Sequence, residues 1–255
     1  MKRNGSLLWT LAGAGAFILF WECAALISGS ELLVPGPLPT AGRLAALMHQ
    51  PAFYRALGGS FIRVLLGLLI SIPLGIAAGL VSALDRRVLL FLKPFLTVIS
   101  ATPVLSIILI AFLWFGSERT PVFTGFLLVF PVMAANTQEG LLAIDPHFRE
   151  LFILYKIPFT EKLRSLYLPA ILPFITGGIQ SSLSLCWKVV VASEVLVQPF
   201  AGLGTGMQRA KAGLETAELF AWTVASVAAA GFLQLAFAAL MRLMRFARLN
   251  GRRRP

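Results

Sequence analysis

Long apolar runs occupy most of this chain and restrict it to a fold that crosses a membrane. Hydrophobic residues make up 58% of the 255 residues and charged residues only 13%, whereas a soluble domain carries about 25% charged residues. A helix of about 20 apolar residues crosses the hydrocarbon of a bilayer. We therefore predict an all-α integral membrane protein with six transmembrane helices, at residues 7–28, 60–84, 88–114, 121–143, 169–197 and 218–243.

The basic residues are distributed unevenly between the two sides of these spans. Of the 22 Lys and Arg residues, 15 lie in segments or at span ends predicted on one side, six lie likewise on the other, and Lys188 lies well within a span. Lys and Arg accumulate on the cytoplasmic side of membrane proteins, so we predict that both termini are cytoplasmic. The net charge of +11 then reflects membrane topology, and we expect a lipid bilayer and no nucleic acid as a partner.

The apolar runs divide the chain into five parts. The first run is too long for the apolar core of a secretory signal, so we predict that it is retained as a span. The parts are a cytoplasmic N-terminus at 1–6, the first span at 7–28, a periplasmic connector at 29–59, a transmembrane core domain at 60–250 and a basic tail at 251–255.

The connector contains a proline-rich stretch. Pro35, Pro37 and Pro39 lack the backbone N–H of other residues, which argues against regular helix there. Threonine is a residue type that caps helices. We therefore predict a short helix that is capped by Thr40 and runs through His49.

A charged segment at 145–168, between the fourth and fifth predicted spans, differs from the rest of the core domain. Asp145 and Thr160 are suited to cap two short helices, which Pro158 separates. Large apolar side chains stand here among charges, which is typical of a surface that enters the groove of a soluble partner. The predicted contact residues are Arg149, Glu150, Leu151, Phe152, Leu154, Tyr155, Lys156, Pro158, Thr160 and Glu161.

Four residues within the predicted spans are candidates for lining a translocation pathway: Pro103, Trp187, Lys188 and Glu194. A charge inside a span costs about 3 kcal/mol on insertion scales, so such residues usually face protein or water. Six positions separate Lys188 from Glu194, which is about 240° around a helix, so we expect no ion pair between them. A harmless kink at Pro103, a snorkelling lysine and an interfacial glutamate are the alternative interpretations.

The sequence lacks motifs for catalysis and metal binding. It contains no GxxxxGK[ST] phosphate loop, and Cys23 and Cys186 both lie in apolar runs. His49 and His147 fall in segments predicted on opposite sides of the membrane. We therefore predict a protein that is not an enzyme and binds no metal or cofactor. An ion-driven secondary transporter and an intramembrane enzyme are competing hypotheses, which internal repeats or a polar cluster at one membrane depth would favour.

Residues 150–169 resemble the EAA loop of permease subunits from bacterial ATP-binding-cassette importers. Glu150 occupies the place of the family glutamate, and the sequence LYLP at 166–169 matches the end of the motif at the same spacing. Leu and Phe at 151–152 replace the two alanines of the motif, and Lys156 stands where the family has glycine. Stretches such as LLVPGPLPTAGRL and LCWKVVVASEVL are similar to permeases of the nitrate, sulfonate and taurine type.

The resemblance implies a type I importer permease of MetI-like architecture, with cytoplasmic coupling helices in the bacterial inner membrane. It implies a homodimer, two ATPase subunits that dock on 145–168 and carry ATP and Mg²⁺, and a periplasmic or lipid-anchored solute-binding protein. The substrate is left open between a sulfonate-, taurine- or nitrate-like anion and a vitamin precursor. Pairing with a paralogue instead of a second copy is also left open.

Overall fold

The computed structural model describes residues 3–145, 147, 148, 151 and 154–251, and every regular element within them is a helix. This confirms the predicted all-α class. The helices are α1 (Arg3–Ser28), α2 (Pro37–Met48), α3 (Pro51–Leu84), α4 (Arg86–Ala101), α5 (Val104–Leu142), α6 (Phe159–Lys162), α7 (Leu168–Val197), α8 (Leu203–Ala212) and α9 (Thr216–Gly251), with a π-helical turn (Leu163–Tyr167) between α6 and α7.

Five helices in the described residues are long and apolar enough to cross a membrane, where the sequence predicted six spans. They are α1, α3, α5, α9 and the continuous helix that α6, the π-helical turn and α7 form together. The predicted span 88–114 is not one helix, because α4 ends at Ala101 and α5 begins at Val104. Pro103 lacks an N–H and keeps Thr102 in an extended conformation, which ends α4.

α5 consists of two helical arms that meet at a sharp turn. Gly116 has φ 67° and ψ −178°, a conformation that glycine adopts and that is costly for other residues. The rings of Phe115 and Phe123 are 4.7 Å apart, whereas the same eight-residue step along a straight helix covers about 12 Å. The chain therefore turns at Gly116, and the arms are residues 104–115 and 117–142.

α3 and the second arm of α5 run parallel and in direct contact. A Cβ atom at Gly67 would lie 3.4 Å from the backbone nitrogen of Phe126, and one at Gly79 would overlap the carbonyl oxygen of Ala134. The contacts advance in the same direction along both helices. Glycine at these positions allows the two membrane helices to approach at backbone distance.

α7 packs on the same arm of α5 in the opposite direction. Gly125 contacts Val190, while Gly140, near the end of the arm, contacts Phe174. The bundle therefore brings the start of α3, the turn at Gly116 and the end of α7 to one end, and the end of α5 and the start of α7 to the other. Buried apolar side chains of the three helices fill the space between them, among them Val64, Leu68, Val129, Met133 and Leu183.

The connector is more helical than predicted. α2 begins at Pro37, and the prediction that Thr40 caps it is wrong, because the Thr40 hydroxyl donates to the Gly36 carbonyl oxygen at 2.9 Å from within the helix. Proline is favoured in the first turn of a helix, where its missing N–H would have no partner. α3 begins at Pro51 instead of residue 60, and its 34 residues span about 51 Å.

Candidate functional site

The charged segment at 145–168, called the elbow below, presents apolar side chains to solvent. Leu154 and Tyr155 are 75% and 72% exposed, and Leu151 is 45% exposed. Large apolar side chains exposed together mark a site of contact with protein or membrane. The other predicted contacts that the structure describes are also exposed: Lys156, Pro158, Thr160 and Glu161. Three predicted contacts lie outside the described residues: Arg149, Glu150 and Phe152.

Local hydrogen bonding shapes the elbow. The Asp145 carboxylate accepts from the backbone N–H of His147 at 2.9 Å, which confirms its predicted role as a cap. The prediction that Thr160 caps the second helix is wrong, because α6 already begins at Phe159. The π-helical turn accommodates an extra residue just before Pro169, so the elbow passes into α7 without a break in helical structure.

The backbone at Lys156 has a conformation that glycine adopts easily. This accounts for the glycine at the same position in the EAA loops that this segment resembles. Its φ is 47°, which lies in the left-handed region. That region costs about 1–2 kcal/mol for a residue with a Cβ atom and little for glycine. The turn of the elbow therefore requires a glycine-type conformation, which this chain achieves with a lysine.

We expect Lys156→Pro to disrupt the elbow and Lys156→Gly to preserve it. Proline fixes φ near −65°, whereas the native φ is 47°. The measurement is limited cleavage by a glutamate-specific protease after the exposed Glu161, and strain of about 1–3 kcal/mol is expected to raise its rate about tenfold in the proline variant. Equal cleavage rates for both variants would contradict the assignment of this turn.

A buried polar cluster lies at the opposite end of α7 and consists of Ser60, Arg63, Glu118 and Glu194, called the Arg63 cluster below. The Arg63 guanidinium donates to Glu194 Oε1 at 2.9 Å and to Glu118 Oε2 at 2.7 Å. Ser60 Oγ donates to Glu194 Oε2 at 2.7 Å. Glu194 is fully buried and Arg63 nearly so, whereas Glu118 is half exposed. Charge-assisted hydrogen bonds, which are the strong ones, therefore join α3, the turn of α5 and the end of α7.

The Arg63 cluster also fastens the loop between α7 and α8. All four side chains of the cluster bond to the backbone of this loop or of the first turn of α8, at distances of 2.6–3.1 Å. These bonds satisfy buried charges that would otherwise be costly. The backbone partners are the N–H groups of Phe200, Leu203 and Gly204 and the carbonyl oxygen of Ala201.

The glycine-rich sequence at 202–206 makes this close contact possible. A Cβ atom at Gly202 would lie 2.7 Å from the carboxyl carbon of Glu194, and one at Gly206 would lie 2.6 Å from the ring of Trp222. A larger residue at either position would displace these groups. The glycines here therefore allow close packing, and they hold the loop against the cluster.

The structure does not bring the four predicted pathway residues together. Glu194 pairs with Arg63 in the cluster, and Trp187 is buried with its indole N–H donating to a serine hydroxyl of α9 at 3.0 Å. Lys188 is exposed, and Pro103 is exposed at the break between α4 and α5. The contacts of Glu194 and Trp187 are those of internal packing, and a pathway role for the four residues stays a prediction.

Three residues of the cluster were missing from the sequence-based candidates: Ser60, Arg63 and Glu118. Arg63 lies just inside one apolar run and Glu118 in the short break between two others. With Glu194, they give opposite charges at ends of apolar runs that are all predicted on the same side. This complementary set is the signal by which the sequence could have indicated the cluster.

The elbow and the Arg63 cluster lie at opposite ends of one helical unit, since Leu168 and Glu194 are about 39 Å apart along α7. Among the described residues, no three His, Cys, Asp or Glu side chains come together as metal ligands. The chain is therefore a bundle of membrane-length helices with an exposed apolar surface at one end and a fastened loop at the other, which is the architecture of an integral membrane protein.

The chain belongs to the family of binding-protein-dependent transport system inner membrane components. The sequence profile of this family matches residues 71–249, which extend from the middle of α3 into α9. The family membership identifies the chain as a permease that works with a solute-binding protein.

Several characterised relatives are permeases with different cargoes. The chain is 29% identical over 220 residues to the bicarbonate transport system permease protein CmpB of Synechococcus elongatus, covering 80% of this chain and 76% of the relative. It is 27% identical over 225 residues to the putative aliphatic sulfonates transport permease protein SsuC of Bacillus subtilis, covering 86% and 80%. It is 30% identical over 179 residues to the formylaminopyrimidine transport permease protein ThiX of Halalkalibacterium halodurans, covering 69% and 71%.

The fold is similar to that of a solved transporter. A chain of the MetNI methionine ABC transporter, in an inward facing conformation, superposes with a TM-score of 0.55 at 17% sequence identity. The match covers 74% of this chain and 93% of the solved chain. This similarity supports the MetI-like architecture that the sequence predicted.

Proposed function

We propose that this chain is the permease subunit of an ATP-binding-cassette importer and that its elbow receives force from a separate ATPase. The observation that carries the proposal is the exposed apolar surface of Leu151, Leu154 and Tyr155 on a segment that passes directly into α7. ATP and Mg²⁺ belong to the ATPase in this proposal. Two permease copies, or one copy and a paralogue, pair in the inner membrane.

The proposed orientation places both termini and the elbow in the cytoplasm and the Arg63 cluster on the periplasmic side. The distribution of Lys and Arg supports it. α4 is 16 residues long and spans about 24 Å, which is short of the hydrocarbon thickness of about 30 Å. We infer that α4 and the first arm of α5 cross together as a broken helix, which restores six passes.

In this mechanism the elbow moves when the ATPase subunits close on ATP. α7 is joined to the elbow without a break, so it carries the displacement along its length to the Arg63 cluster. The cluster links α7 to α3 and α5 by buried hydrogen bonds, so the three helices move as a unit. The membrane bundle thereby alternates between access to the binding protein and access to the cytoplasm.

The proposed cargo is a small solute. The names of the relatives support this class, because they specify bicarbonate, aliphatic sulfonates and formylaminopyrimidine. A solute-binding protein, periplasmic or anchored to lipid, is the proposed source of the cargo.

The test is reconstitution of the chain in vesicles with the P-loop ATPase and the solute-binding protein that co-purify with it. We expect uptake of the solute that the binding protein retains, and we expect uptake to require both ATP and the binding protein. Uptake that is driven by a proton or sodium gradient without ATP would instead support a secondary transporter.

A further inference from the structure

We propose that the groove between α4 and the second arm of α5 binds a small oxyanion, a carboxylate-, sulfonate- or bicarbonate-like group, and that Lys93 supplies the positive charge. The groove has a volume of about 610 Å³, within the range of about 300–1,000 Å³ for small-molecule sites. The inference rests on the proposed transport function and adds to it a substrate class and the residues that recognise it.

Three polar residues of α4 form a stripe that lines the groove. Lys93, Thr97 and Ser100 are four and three residues apart, a spacing that places them on one face of a helix. Across the groove, α5 contributes Gln138. The Ser100 hydroxyl and the Gln138 amide offer hydrogen-bond donors, while the Thr97 hydroxyl donates to the Lys93 carbonyl oxygen at 2.8 Å.

Beyond Arg86 and Arg87 in its first turn, the rest of the α4 surface is apolar. Large exposed apolar side chains lie outside the polar stripe. Such a surface suits a helix that faces lipid or a second permease copy. The side chains are Leu90, Phe91, Phe95 and Val98. An amphipathic helix within a membrane protein turns its polar stripe to protein or water. The groove is therefore the side of α4 that faces protein and water.

Lys93 brings a positive charge into this groove. The ion pairs among the described residues involve Arg43 and Arg63 and leave the Lys93 ammonium without a carboxylate partner. Lys93 lies about 10 Å along α4 from Arg86, inside the predicted span 88–114, where a cation without a partner is unfavourable. A bound oxyanion would supply the missing negative charge.

The groove reaches the middle of the bundle. It extends along α4 from Leu89 to Ala101, next to the break at Pro103, and Pro131 of α5 also lines it. Pro131 lies about midway between the turn at Gly116 and the end of α5. Interrupted helices near the middle of a membrane commonly form the substrate sites of transporters, so a transported solute fits this position better than a lipid headgroup does.

Cysteine labelling tests the charge of the groove. Thr97→Cys is introduced with Cys23→Ala, while Cys186 is fully buried and is retained. The transporter complex in phosphatidylcholine vesicles is labelled with anionic methanethiosulfonate ethylsulfonate and with its cationic trimethylammonium analogue. We expect the anionic reagent to react about tenfold faster through local electrostatic attraction. Lys93→Gln should remove this preference and Lys93→Arg should keep it, as should Lys211→Gln at an exposed site of α8.

Methanesulfonate is the binding probe, and we expect it to slow labelling in phosphatidylcholine vesicles. Slowing by added phosphatidylglycerol, with none by methanesulfonate, would assign the groove to a lipid headgroup and overturn the proposal. An unlabelled Thr97→Cys, or a preference that Lys93→Gln leaves unchanged, would also overturn it. Labelling does not require ATP-driven uptake, so failure here is distinguishable from failure of the proposed transport function.

Discussion

Replacing Glu194 by alanine is expected to destabilise the protein by about 3–5 kcal/mol, because it leaves the nearly buried Arg63 without its buried partner. The carboxylate that is lost accepts hydrogen bonds from Arg63, Ser60 and the backbone N–H of Gly204. The Ser60 hydroxyl and the Gly204 N–H are left unsatisfied as well. Thermal unfolding of the purified protein in detergent is the measurement.

The matched control is Glu215→Ala, which breaks an ion pair of similar length at the surface. Arg43 and Glu215 are 2.9 Å apart, but their side chains are 53% and 46% exposed. Exposed pairs contribute about 0–1 kcal/mol, so we expect a small shift in the unfolding temperature. Similar losses for Glu194→Ala and Glu215→Ala would show that the Arg63 cluster does not hold the bundle together.

The double variant Arg63→Met, Glu194→Met separates charge from hydrogen bonding. Removing both charges avoids an unpaired buried ion, so the double variant is expected to be more stable than the sum of the single losses predicts. The recovery stays incomplete, because Ser60 and the N–H of Gly204 lose their acceptor in both cases.

The second large effect is expected at the elbow. Leu154→Asp combined with Tyr155→Asp should weaken binding of the ATPase by about 30-fold, since loss of a buried apolar anchor at an interface costs about 2 kcal/mol or more. ATP-driven uptake should fall with it. Both side chains are largely exposed in the isolated chain, so its thermal stability should not change. Affinity is measured by titrating labelled ATPase against the permease in detergent.

Leu38→Asp is the control for the elbow variant. Leu38 is 83% exposed on α2, at the end of the bundle that carries the Arg63 cluster. The substitution likewise replaces an exposed apolar side chain by a carboxylate, but it should leave ATPase affinity unchanged. An equal loss of affinity for both variants would show that the effect comes from added negative charge in general.

The sequence predicted features that depend on neighbouring residues. Apolar runs of sufficient length identified most spans, and Asp145 was identified as a cap because capping acts over a few residues. The same reasoning failed at Thr40, since proline at the first helical position allowed α2 to begin three residues earlier, at Pro37. At Pro103 the sequence indicated a kink, and the structure has a complete break between α4 and α5.

Contacts between distant helices could not be predicted in this way. Glu194 is 131 residues from Arg63 in the chain, and hydropathy alone does not specify which charge meets which. The assignment of Glu194 to a pathway considered only the cost of an isolated charge within a span. Once α3 and α7 pack side by side, the two charges compensate each other, and the cost that motivated the assignment is largely removed.

The glycine contacts between α3 and α5 determine where this protein is able to bend. With the backbones of these helices touching near Gly79 and Ala134, no layer of side chains is present to yield, so sliding of one helix past the other is blocked. We therefore expect conformational change to concentrate outside this pair, at the breaks at Pro103 and Gly116. A larger residue at one of these glycines would separate the two helices. Bending would then also occur within the pair that is otherwise rigid.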